Sequence, residues 1–257
     1  MDANQTIRSI LITQAAPSAL TKSPYANLIE RFGISVDFVP FIQIQGIDYK
    51  QFRKQKINIS DYTAIIFTSK HSIDNFFRIT KEAKIEISPE VKYFCISEQT
   101  TNYLQKYIVM RKRKLFTGQK NAADLIELIK KFKSEKFLYP CSAIRRDEIP
   151  MFLAANGFNF AEGLVYETIP SSLTDLQLDS YQMIVFFSPS GITSLKHNFP
   201  NYTQGQTKFA AFGSTTASAL TENGYRLDLE APLPNAPSMA GAIEKYLESH
   251  LHTSRNE

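Results

Sequence analysis

The chain has 257 residues, a formal net charge of +4, 43% hydrophobic residues and no tryptophan. That length admits one large domain or two lobes, and so small a charge singles out no polyanionic partner. No apolar run approaches the roughly 20 residues that cross a bilayer, which excludes a spanning helix.

From the N-terminus, the polar stretch of residues 1–8 leads straight into an apolar run without the basic region or small-residue cleavage site of a leader, so a mature cytoplasmic start is expected. Residues 9–12, 64–68, 93–96, 137–139, 183–188 and 209–212 are short, nearly continuous apolar runs of the kind found in strands buried on both faces. Between them, residues 122–132, 146–156 and 215–223 carry helical periodicity, and several of these segments stop at Asn-Gly or Phe-Gly. Strands alternating with helices predict an α/β fold built on parallel sheets.

Cys95 and Cys141 each end a strand-like run and read as reduced, buried thiols. The run Arg111-Lys112-Arg113-Lys114 is the densest basic segment. With no aromatic or glycine-rich binding module around it, it reads as a solvated loop rather than a nucleic-acid or lipid contact. Of the histidines, His71, His197, His250 and His252, only the last two are close together, in what reads as a polar tail after the final helix. None has metal-site spacing.

The chain also repeats itself. Residues 61–69 align with 180–188, 92–100 with 208–216, and 33–42 with 157–166, in the same order and at nearly constant offset. Three ordered matches point to a duplicated lobe.

Neither G-x-x-x-x-G-K-[ST] nor G-x-G-x-x-G occurs, so nucleotide and NAD chemistry are not expected, and neither is a nucleophile elbow of the G-x-S-x-G type. No cofactor is expected. Small hydroxylated or glycine-bearing turns do occur where strands feed helices: Thr68-Ser69, Ser97 to Thr100, Cys141-Ser142, Ser188 to Gly191 and Gly213 to Thr216. In an open parallel sheet such turns lie at the carboxyl ends of the strands, where free backbone N–H groups and helix dipoles suit carboxylates or phosphates. Any one of them also serves as an ordinary helix cap.

The ordered set Phe186-Phe-Ser-Pro-Ser-Gly191, Lys208-Phe-Ala-Ala-Phe-Gly-Ser-Thr-Thr-Ala217 and Ala231-Pro-Leu-Pro-Asn-Ala-Pro237 resembles the C-terminal half of uroporphyrinogen-III synthases. Phe67-Thr-Ser69, Tyr139-Pro-Cys141 and Val165-Tyr-Glu-Thr168 match further family positions, so the resemblance runs from Ile10 to Leu247. It implies two similar lobes, each a mostly parallel sheet flanked by helices, joined by a two-stranded linker. One lobe comprises residues 1–39 and 168–257, the other residues 43–164, with linkers near 39–43 and 164–168 and a cleft between the lobes.

The resemblance further implies a cofactor-free, cytoplasmic, monomeric lyase that cyclises hydroxymethylbilane to uroporphyrinogen III, with no nucleic-acid or membrane partner. Tyr166 is then the candidate for assisting hydroxyl departure. Thr68, Ser69, Thr100, Ser142, Arg145, Ser188, Ser190, Gly191, Gly213, Thr215 and Thr216 are the candidate substrate-binding positions. Two positions depart from the family pattern: Ser97-Glu98 stands where a glycine is frequent, and His71 where Asn or Arg is frequent. The competing reading of the residues is a two-lobed binding or regulatory protein that closes on a small anion without chemistry. A glycosyltransferase would need a nucleotide-sugar motif that the chain does not carry.

Overall fold

The computed structural model describes residues 7–253 apart from 110 and 120, without the side chains of 250–253. From the N-terminus, β1 (Ser9–Ile12), α1 (Pro24–Phe32) and β2 (Ser35–Phe38) lead into β3 (Ile42–Gly46). There follow α2 (Tyr49–Arg53), β4 (Ala64–Phe67), α3 (Lys70–Glu82), β5 (Lys92–Cys95), α4 (Glu98–Leu104) and β6 (Leu115–Thr117). Next come α5 (Ala122–Ile129), β7 (Lys136–Cys141), α6 (Glu148–Ala155), β8 (Asn159–Leu164) and β9 (Tyr166–Pro170). The chain then adds β10 (Met183–Phe186), α7 (Pro189–Asn198), β11 (Lys208–Phe212), α8 (Ser214–Glu222), β12 (Leu229–Ala231) and α9 (Met239–Thr253).

Two compact units result: the described residues up to Gln43 together with those from Ile169 onward, and the intervening Ile44–Thr168. The first holds a five-stranded sheet in the order β12-β11-β10-β1-β2, with every neighbouring pair parallel. The second holds another, ordered β6-β5-β4-β7-β8, again parallel throughout. Position by position, β10 and β11 of one sheet correspond to β4 and β5 of the other, and β2 to β8. These are the segments that repeat in the sequence, so the duplication extends to topology.

Alternation along the central strands divides each unit into two cores. In the first, Ile10, Ile12, Met183 and Val185 pack with Leu28, Met239 and Ile243 beneath α1 and α9. Leu11, Ile184 and Phe186 face the other way, toward Ile192, Leu195 and Leu220 of α7 and α8. In the second unit Ile65 and Phe67 meet Ile73 and Phe76 of α3, while Ala64 and Ile66 meet Leu125, Ile129 and Leu153 of α5 and α6. Burial on both faces is why these strands read as unbroken apolar runs.

β3 and β9 form a separate two-stranded sheet that overlaps the expected linkers at 42–43 and 166–168 and runs on to Gly46 and Pro170. Its start has a local cause: Val39 N–H, just past β2, still bonds the Ile12 carbonyl at 3.0 Å, and Leu164 is still paired with Cys141 in the large sheet. α9 runs through Thr253, so the backbone at 250 and 252 belongs to that helix rather than to a tail beyond it.

Candidate active site

In the second unit, the chain leaves β4 at Thr68 and enters α3 through Ser69, which has extended backbone and caps the helix. Ser69 Oγ accepts from Ser72 N–H at 3.0 Å, and Ser72 Oγ in turn accepts from Ser69 N–H at 3.4 Å, a reciprocal cap. The cap holds the Ser69 side chain where its Oγ lies 3.5 Å from the Tyr166 hydroxyl, at the start of β9. Thr68 Oγ1 lies 3.3 Å from the hydroxyl of Tyr139, on β7 beside β4. The His71 ring, one turn into α3, stands 6.0 Å from the Tyr166 ring, centroid to centroid. Thr68, Ser69 and Tyr166, far apart in the chain, are thus brought together with Tyr139 and His71.

A hydrogen-bond inventory orders this cluster. Ser69 Oγ accepts from Ser72 and keeps its O–H and a second lone pair, so toward the Tyr166 hydroxyl it can either donate or accept. With Ser69 as the donor, the Tyr166 O–H is available to a further partner. Tyr139 is unsuited to proton release: burial, reinforced by Cys141 and Tyr166 against Thr68 and Arg145, pushes its phenol above the ordinary tyrosine range. Tyr139 was legible as part of the Tyr-Pro-Cys motif but not as a site residue. The available signal is a phenol inside an otherwise apolar buried strand, where its O–H must find a partner.

The remaining expected positions of this unit lie outside that cluster. Thr100 is buried in α4, with its N–H and Oγ1 both engaged by Ser97 Oγ, while Glu98 lies exposed in the first turn. Ser142 is buried, and its Oγ accepts from Ile144 N–H at 3.3 Å. Arg145 is committed to carboxylates: it is ion-paired with Glu162 on β8 and lies 3.5 Å from Asp147. Burial pushes the Cys95 and Cys141 thiols up to about 12, so neither is poised as a nucleophile.

In the first unit the expected residues occupy the carboxyl ends of two adjacent strands. The register pairs Phe186 with Ala211, so the turns after β10 and β11 emerge side by side, with the Phe187 and Phe212 rings 6.0 Å apart. Ser188 starts α7 without a side-chain cap bond, and Pro189 brings no N–H to the first turn. Gly191 N–H bonds Ser188 O at 3.1 Å, and a Cβ there would meet the Phe186 ring at 3.5 Å. Ser190 is half-buried.

At α8 the starting residue is Gly213, whose φ of +86° demands glycine and whose N–H is taken by Ala231 O at 2.7 Å. Lacking a side chain, Gly213 offers no cap to the next N–H groups, and Ser214 and Thr215 there are exposed. The Thr216 side chain is buried. The two units therefore differ: serines cap α3 and α4, whereas the first turns of α7 and α8 are left uncapped.

A family model described as uroporphyrinogen-III synthase HemD matches residues 23–241. The chain belongs to the uroporphyrinogen-III synthase family. Every expected site residue of this family member falls within the matched span. A uroporphyrinogen-III synthase of Chlorobaculum parvum is 24% identical over 94% of this chain and 100% of its own length. One from Saccharomyces cerevisiae is 25% identical over 81% of this chain and 86% of its own. The crystal structure of uroporphyrinogen-III synthetase from Helicobacter pylori shares the fold, with a TM-score of 0.57 and 18% identity over 95% of this chain and 100% of that one. Among the described residues of this family member, no helix is long and apolar enough to cross a membrane, and no three His, Cys, Asp or Glu side chains are grouped to hold a metal ion.

Proposed function

We propose that the chain performs its family's reaction, converting linear hydroxymethylbilane to uroporphyrinogen III with loss of water, and that the Tyr166 hydroxyl assists that loss. The observation that carries this reading is the 3.5 Å approach of Ser69 Oγ to the Tyr166 hydroxyl. As donor to the phenol oxygen, Ser69 directs the phenol proton outward toward the hydroxyl that leaves. That hydroxyl takes up one proton and departs as water, leaving an azafulvene cation, and ring closure later returns one proton. The substrate's own pyrrole then supplies the electrons that close the ring, with inversion of the terminal pyrrole. Such chemistry asks the protein for a hydrogen-bond donor at the leaving oxygen and for control of geometry.

Substrate carboxylates would be held chiefly at the starts of α7 and α8, by Ser188, Ser190 and Thr215, while Gly191, Gly213 and Thr216, whose N–H groups are already bonded, would shape those turns. Thr68 and Ser69 would contribute beside Tyr166. Thr100 and Ser142, with buried side chains, would shape their turns, and Arg145 would act through its ion pairs. The working form on this reading is a cytoplasmic monomer that needs no cofactor.

The test is incubation with freshly prepared hydroxymethylbilane followed by oxidation and separation of isomers, because the substrate also cyclises unaided to the isomer without inversion. Excess isomer III supports the assignment. Isomer I alone, at the rate in buffer, rejects it.

A further inference from the structure

The second unit carries a pair of cavities at the end of its sheet opposite the Thr68–Ser69 turn. One, of about 520 Å³, lies at the amino ends of β5 and β6, with Phe77, Ile85, Ile87 and Ile108 in its wall beside the polar Thr80 and Ser88. Its volume falls in the range of about 300–1,000 Å³ usual for small-molecule sites. The wall is structured: Phe77 and Tyr107 stack with ring centroids 4.7 Å apart, and Tyr107 donates its hydroxyl to Asp74 at 2.6 Å.

The neighbouring cavity, about 480 Å³, is lined among the described residues by Glu90, Arg111, Lys112, Arg113 and Lys114. Arg111 and Lys114 line both, so an apolar chamber and a cationic one share a wall. Glu90 is spent on Lys114 at 2.6 Å, and among the described residues Arg111, Lys112 and Arg113 have no ion-pair partner. One further carboxylate, Glu86, lines the apolar chamber.

A largely apolar recess joined to a group in which four cations face one carboxylate fits a ligand with the same division. We propose that the paired cavities bind an amphipathic anion, its apolar body against Phe77, Ile87 and Ile108 and a terminal phosphate against Arg111 and Arg113. Guanidinium groups suit this role because their planar fork matches phosphate oxygens two at a time. The basic run that reads from sequence as a solvated loop becomes the head-group end of a binding site. A dissolved amphiphile and a phospholipid headgroup present the same chemistry, and the site is assigned to the dissolved molecule because the apolar chamber is a recess within the unit.

The full chain is titrated calorimetrically with n-octyl phosphate below its micelle concentration, with n-octanol, and with inorganic phosphate. Vesicles of phosphatidylcholine containing phosphatidylglycerol form a fourth arm. One-to-one binding of octyl phosphate is expected, at least about tenfold tighter than either fragment. The Arg111→Ser/Arg113→Ser double variant, both positions being exposed, should weaken that binding at least about tenfold while leaving circular dichroism and isomer III formation unchanged. Amide shifts should concentrate at residues 85–91 and 111–115. Equal affinity for octanol, an unaffected double variant, binding to vesicles alone, or shifts centred on Ser188–Gly191 or Thr68–Ser69 would each overturn the proposal.

Discussion

The side chain of Ser69 serves two partners at once: it accepts the Ser72 N–H at 3.0 Å and lies 3.5 Å from the Tyr166 hydroxyl. A capping interaction that secures the start of α3 also holds Ser69 Oγ beside the phenol. Ser69→Ala should therefore cost about 0.5–2 kcal/mol of stability from the lost cap. It should also slow isomer III formation, with a smaller rise in KM from the lost contact of Ser69 with substrate. Urea unfolding and steady-state kinetics on the same preparation separate the two effects.

Tyr166→Phe removes one hydroxyl from a half-buried ring, so the fold should survive. If the phenol donates to the leaving oxygen, formation of isomer III should drop by roughly 10- to 1000-fold. Isomer I should then accumulate as spontaneous closure takes over. An unchanged isomer ratio at full rate would assign Tyr166 a packing role beside His71.

Gly213→Val tests the turn before α8. A Cβ there would touch nothing within 4 Å, so the penalty comes from the φ of +86° and not from a clash. A β-branched residue forced into that conformation should lower stability by about 1–3 kcal/mol. It should also raise KM by tilting the first N–H groups of α8. A melting curve taken beside the kinetics distinguishes weaker binding from unfolding.

Alkaline pH should weaken the fold through the buried thiols. Cys95 and Cys141 ionise near 9.0 when exposed but at about 12 in the folded chain, because burial disfavours the thiolate. Their folded pKa values lie above the unfolded ones, so the stabilisation is complete below about pH 9 and is lost as pH rises toward 12. Each thiol should contribute a loss on the order of a few kcal/mol across that window. Denaturant midpoints measured from pH 8 upward should fall steadily, and Cys95→Ala/Cys141→Ala should flatten the decline.

Much of the fold was legible in the sequence because the central strands are buried on both faces. Ile65 and Ile66, like Ile184 and Val185, leave no polar interruption to obscure them. The edge strands β6 and β12 were not read as strands. At three residues each they are too short to show a pattern, and β6 is only half-buried.

Of the candidate site, the turns were visible as Ser, Thr and Gly clusters, but their occupation was not. Whether Ser69 caps a helix or Arg145 meets Glu162 depends on chain segments distant in sequence. The partnership of Thr68 with Tyr139 depends likewise on β4 lying beside β7, a neighbour relation that strand order alone decides.

If the Tyr166 hydroxyl directs macrocycle closure toward the inverted isomer, the III-to-I ratio formed from hydroxymethylbilane must separate dialysed, chelator-treated wild-type protein from Tyr166→Phe, measured side by side. Predominantly isomer III is expected from the wild type without added metal, and a marked shift toward isomer I from the variant. Equal ratios from the two proteins would contradict the role given to Tyr166, and isomer I alone from the wild type would contradict the reaction itself.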